Sequence, residues 1–269
     1  MRLRGGTAPE RSAFGALVSR LRGGVLAALV AVALVCSSCL GSTGGDVFAF
    51  DGFVEGTGAA TFVNGRGYEV SLSRAKLHVG AVYLNRARPT SVASGTECTL
   101  AGIYVAEVPG GADVDLLSGE RASFAVEGRG TSDHAQTGEV WLMGEDVNAT
   151  ADPTVILDVA GVATKDGTAY PFEGKITIGS NRVAEPTNPA LPGSKPICKE
   201  RVVSPIAVDL SPREGGALVL AIDPSAFFAN VDFDALADGT FRDDDGDQPS
   251  RALYAGLHAS AGAYTFRWE

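Results

Sequence analysis

The densest run of side chains able to do chemistry lies near the C-terminus. Asp243, Asp244, Asp245 and Asp247 fall within five residues, shortly after Asp232, Asp234 and Asp238. Hard cations such as Ca²⁺ collect roughly six to eight oxygen ligands, and carboxylates on a turning loop can supply them. Gly246 would allow the turn. The spacing is not that of an EF-hand loop, which wants acids at alternate positions before its glycine; Phe241 stands where the first would fall. The run therefore reads first as a solvated acidic loop and second as a Ca²⁺ site.

Three other constellations are weaker. Ser73-Arg74-Ala75-Lys76 sets a lysine three residues after a serine. That spacing serves catalysis at a helix start, whereas here it lies in a strand-like run and reads as two exposed polar residues at a bulge. Ser132-Asp133-His134 holds the side-chain types of a nucleophilic triad. Adjacent residues cannot readily oppose one another as acid, base and nucleophile must, so a surface loop is expected. His134, Trp141 and Met143 lie within ten residues and could suit copper. Trp141 alternates with Val140 and Leu142, which makes it a sheet-face aromatic first. No resident cofactor is expected, and Ca²⁺ is the leading candidate ion.

The elements that must position these residues are β-strands. Short β-branched and aromatic runs recur between turn signals, among them Val47 to Phe53, Ala59 to Val63, Gly102 to Val108, Ser123 to Glu127 and Glu139 to Met143. Arg201 to Asp209, Ala217 to Ile222 and Ala263 to Trp268 continue the series. Asp166-Gly167 between two apolar runs predicts a tight hairpin. Across Tyr68 to Leu84 the alternation changes phase near Ser73 and Arg74, which predicts a bulge or short break. Helical signal is confined to two short pieces. One starts at Pro224 with Asp223 as N-cap, and the other follows Asp247 or Ser250. This pattern predicts an all-β chain, an antiparallel β-sandwich with one or two short helices near the C-terminus.

The N-terminal 38 residues are of another kind. Arg2, Arg4, Arg11, Arg20 and Arg22 face one acid, Glu10, and an apolar run follows from Val25 to Val35. Eleven apolar residues are too few for a membrane span, which needs about 20. A basic start, a short apolar run and small residues Ser37 and Ser38 are the parts of a secretory signal. Cys39 comes directly after them. This arrangement resembles the lipobox of bacterial lipoproteins. The resemblance implies cleavage before Cys39, lipid on Cys39 and a place in the cell envelope, with Leu40 next to the cysteine pointing to the outer membrane.

On that reading residues 1–38 are the signal, 39–45 a lipidated cysteine and short tether, and 46–269 one β-sandwich domain. Removing the leader takes the balance from 22 basic and 32 acidic residues to 17 and 31, a net charge of −14. Such acidity argues against nucleic acid, where Lys and Arg must neutralise phosphates. With Cys39 lipidated, Cys98 and Cys198 remain in a compartment that permits disulfides. Their pairing is expected, with two free thiols as the other reading. A bridge closing about 100 residues is worth on the order of 4–5 kcal/mol in the chain-entropy account. Three functional classes follow. The first is a non-enzymatic envelope lipoprotein, a binding or structural module attached to the membrane through its lipid. Next comes a metal-binding lipoprotein, Ca²⁺ ahead of copper. Last is a hydrolase of envelope polymers.

Overall fold

The computed structural model describes residues 46–87, 90–91, 100–101, 103–144, 151–180, 201–243 and 247–269. In chain order the strands are β1 (Phe48–Gly56), β2 (Thr61–Val63), β3 (Glu69–Val79), β4 (Ala81–Asn85), β5 (Thr90–Ser91), β6 (Leu100–Ala101), β7 (Tyr104–Val108) and β8 (Ala112–Asp115). They continue as β9 (Arg121–Ser123), β10 (Gly128–Gly130), β11 (Ala135–Trp141), β12 (Ala151–Lys165), β13 (Thr168–Ser180), β14 (Val202–Leu210), β15 (Ala217–Ile222), β16 (Thr240–Phe241) and β17 (Tyr264–Trp268). One α-helix, α1 (Gln248–Leu257), and 3₁₀ turns at Pro224–Phe228 and Phe233–Ala235 complete the described elements.

The expected all-β architecture is what forms. A nine-stranded sheet runs β14-β11-β4-β7-β10-β1-β15-β17, with β9 also paired to β1. A six-stranded sheet runs β16-β13-β12-β3-β2, with β8 also on β3. Pairing is antiparallel except for β1 with β15 and β13 with β16. The main apolar core takes Val54, Val82, Leu84 and Val140 from the larger sheet and Val70, Leu77, Val159 and Ile176 from the smaller.

Local rules explain how the strands place these side chains. In β3, Val70 and Leu72 point inward, and so do Ala75, Leu77 and Val79. The two series differ in parity. The register against β12 steps from Leu72 opposite Gly161 to Arg74 opposite Ala160, which leaves Ser73 as the extra residue. This bulge returns the apolar series to the core face. The Asp166-Gly167 turn has φ of 51° and 79°, both positive as a two-residue hairpin of this hand demands. The Pro224 turn is capped as expected, Asp223 Oδ1 accepting from the Ser225 N–H at 2.9 Å, although it is 3₁₀ rather than α.

Two strand expectations need correction. Tyr68 to Leu84 is not one strand path. The chain leaves the smaller sheet after Val79 and enters the larger at Ala81. Gly80 makes the corner: its N–H donates to the Trp141 carbonyl at 2.8 Å, and a Cβ there would stand 2.4 Å from the Met143 carbonyl oxygen. Only glycine fits that approach. Ser123 to Glu127 is also not a strand. Pairing stops at Ser123 and resumes at Gly128, because Phe124 turns its ring into the core while Val126 is left half exposed.

Candidate functional site

The larger sheet has a second apolar cluster on the face away from the main core. Ala81, Trp141 and Met143 form it, with Tyr83 and Val202 packed against them. Strand register explains the grouping. Ala81 lies opposite Trp141, Tyr83 opposite Glu139, and Asn85 opposite Thr137. The alternate residues Val82, Leu84 and Val140 face the core. The row through Tyr83 continues to Glu107 on β7 and Arg129 on β10. Acid, tyrosine, acid and base thus cross four neighbouring strands on one face.

A bulge adjusts this face. Leu84 pairs with Ala106 but Asn85 pairs with Tyr104, so Val105 is the extra residue. Val105 and Ala106 both turn into the core. Tyr104 is thereby kept on the outer face beside Tyr83, the ring centroids 5.0 Å apart. Bulges often re-aim a side chain in this way. On its other side Tyr83 lies 4.8 Å from Trp141. Three aromatic rings form a continuous strip.

Beneath the strip lies Glu139, fully buried. The Asn85 Nδ2 group donates to Glu139 Oε1 at 3.0 Å, and the Trp141 indole N–H donates to Oε2 at 3.0 Å. No cation among the described residues pairs with this carboxyl. Burial pushes its pKa up, against the two hydrogen bonds that favour the ionised form. Both neighbouring phenols are pushed up as well, chiefly by burial and then by the nearby acids; Tyr104 reaches about 12. Asn85 is equally buried, and its Oδ1 has no hydrogen-bond partner. With Nδ2 on the carboxyl, the atom left over is the carbonyl oxygen. Tyr104 is 39% exposed at the margin of the strip and borders a shallow cleft of about 220 Å³ shared with Val47, Glu107, Arg129 and Thr131.

The residues singled out from sequence are placed elsewhere. Asp243 accepts from the Thr177 N–H at 2.6 Å and also from the Thr177 hydroxyl, which ties the loop after β16 to β13. Asp247 is the N-cap of α1, accepting from the Ser250 N–H at 2.6 Å. Asp244 and Asp245 lie outside the described residues, as do Cys39, Cys98 and Cys198. Among the described residues no three His, Cys, Asp or Glu side chains converge as metal ligands do. Ser73 and Lys76 are both exposed.

The histidines have separate local partners. His78 Nδ1 meets Asp113 at 2.8 Å, and His258 Nδ1 meets the Tyr254 carbonyl at 2.9 Å. His134 does not use its neighbours Ser132 and Asp133. It meets Ser211 Oγ at 3.4 Å and Asp209 Oδ1 at 3.5 Å, while Asp133 pairs with Arg86 at 2.5 Å. Those His134 contacts are at the outer limit of a hydrogen bond. The Asp209 side chain is 95% exposed, so water competes for it. Trp141 and Met143 do pack together, but with Tyr83 rather than His134.

Asn85, Glu139, Tyr83 and Tyr104 were not singled out by sequence reasoning. The available signal was Glu139 itself, a charged residue in step with Trp141 inside an apolar strand. Comparison with protein-family models, with curated proteins and with solved structures finds no match to this chain.

Proposed function

We propose that this protein is an envelope lipoprotein, attached to its membrane by lipid on Cys39, and that its folded domain is a non-enzymatic binding module. The ligand site is the outer face of the larger sheet around Glu139. The observation that carries this reading is a fully buried carboxyl that no cation among the described residues pairs with, beside a buried amide oxygen that no described residue satisfies. A strand built only for stability would place apolar residues there, because a buried uncompensated charge costs several kcal/mol at least, on the order of 3–5 when a partner is missing. Sequences break folding rules of this kind where function requires it.

The aromatic strip supports the same conclusion. Tyr83, Tyr104 and Trp141 offer broad, stiff contact area at small entropic cost, as binding surfaces commonly do. Crystals of the full-length protein soaked with a mixed set of small polar fragments should show density against Asn85 and Tyr83. Fragments collecting only at other places would overturn the site. The anchor is tested separately. Cys39→Ala protein should be exported yet recovered in the soluble fraction, and persistent membrane attachment would contradict lipidation.

A further inference from the structure

The larger sheet has two ends, and we infer that the end where β1 begins rests on the lipid bilayer through Val47 and Ile103. The inference rests on the lipoprotein reading and adds an orientation to it. At this end β1, β7, β11 and β15 start, while β4, β10, β14 and β17 finish. The ladder sets the two residues close together. Phe48 pairs with Gly130, and the Thr131 N–H donates to the Val105 carbonyl at 2.8 Å. The Ile103 carbonyl accepts from the Arg86 N–H at 2.9 Å. Val47 and Ile103 thus stand at the tips of β1 and β7, with only β10 between these strands. Val47 is 69% exposed and Ile103 59%. Both side chains gain by leaving water.

The length of chain before β1 says what covers them. Seven positions separate Cys39 from Asp46, a reach of about 25 Å at full extension. A lipid on Cys39 therefore keeps this end near the bilayer however the domain turns. A contact too weak to hold a free protein is enough to orient a tethered one, because the tether raises the effective concentration of the surface. The contact is apolar rather than electrostatic. Arg86 at this end is already paired with Asp133 at 2.5 Å, and the acidic chain favours a zwitterionic surface over an anionic one. Val63 supplies the contrast. It is 67% exposed, but it lies on β2 of the smaller sheet. Its neighbour Gly65 donates to the Ala229 carbonyl at 2.9 Å, beyond the far end of β15.

The two tryptophans report the orientation. Trp268 packs against Phe48 beside Val47, whereas Trp141 pairs with Ala81 at the far end. Full-length ¹⁵N-labelled protein, purified from membranes, is placed in phosphatidylcholine nanodiscs with and without headgroup nitroxide. The Trp268 indole N–H signal should broaden with nitroxide, and the Trp141 signal should stay sharp. Val47→Asp with Ile103→Asp should remove about half or more of that broadening while the protein stays on the discs, since the apolar contact sets the orientation. Val63→Asp should leave it unchanged. Protein that stays on the discs with neither signal broadened, or with both broadened equally, would overturn the inference and leave the lipoprotein reading standing. So would broadening that survives the double variant. Protein that does not remain on the discs would remove the lipoprotein reading and the inference together.

Discussion

Two buried asparagines in this domain are used in opposite ways. Asn64 is 6% exposed, and its side chain is saturated. Its Nδ2 group donates to the Phe228 carbonyl at 3.1 Å and the Val231 carbonyl at 2.9 Å. Its Oδ1 accepts from the Arg66 and Tyr68 N–H groups, each at 3.0 Å. Asn85 is fully buried, gives one hydrogen bond to Glu139 and leaves its oxygen empty. The acids beside them differ in the same sense. Asp232 is held below the usual carboxylate range by the Tyr68 hydroxyl, then Arg66 and Lys165. Glu139 is pushed above it by burial. One region is a finished structural staple that ties the β2–β3 hairpin to the C-terminal segment. The other spends stability on groups that none of the described residues completes. That difference separates residues kept for the fold from residues kept for a ligand.

The contrast can be broken by substitution, beginning with the largest effect. Asn64→Ala removes four hydrogen bonds and leaves buried backbone groups unpaired, so it should cost about 3–4 kcal/mol in denaturant unfolding. Asn85→Ala removes only one bond and should cost about 1 kcal/mol. Equal losses in the two variants would erase the distinction between staple and site.

Glu139→Gln should have the smallest effect, and its sign depends on pH. A raised folded-state pKa means that the folded protein holds this proton more tightly than the unfolded chain. The group's contribution is therefore fully present below the unfolded value near 4.5 and is lost as pH rises through the folded value. Glutamine cannot lose it. Thermal unfolding of the variant and the wild type should nearly coincide at acid pH, with the variant gaining as pH rises toward neutrality. A variant that loses ground over that range would show that Glu139 is compensated by a cation after all. Asp232, with its lowered pKa, behaves in reverse: its contribution is present above the ordinary carboxylate value and is lost as pH falls.

Features of the fold that depend on a few adjacent residues were legible in the sequence alone. Asp166-Gly167 specified its turn because only two residues are involved, and Ser73 betrayed its bulge because the apolar series on either side differ in parity. The corner at Gly80 was not legible. It depends on the carbonyl of Met143, which another strand brings within reach. The acidic run was read for its charge, apart from Asp247, which was also legible as the start of the C-terminal helix. Asp247 caps that helix through Ser250, three residues on, whereas Asp243 bonds Thr177, 66 residues away in sequence. The candidate site was hidden for the same reason. Glu139 and Trp141 share a face by alternation, but Asn85 is 54 residues from Glu139 and joins it only through the β4–β11 register.

If the strip around Glu139 is a ligand site, as proposed, the Trp141 indole reports on it directly. The chain has two tryptophans, so ¹⁵N-labelled protein should give two indole N–H signals. Trp141 donates to Glu139, whereas Trp268 packs edge-to-face against Phe48 and Phe50 near the opposite edge of the sheet. Titration with a fragment found against Asn85 and Tyr83 in the soaked crystals should move the Trp141 signal in a saturable way and leave Trp268 in place, with the Trp141 response weakened in Glu139→Gln. A Trp141 signal that stays fixed while that fragment is added, or that moves no more than Trp268, would contradict a ligand site at Glu139.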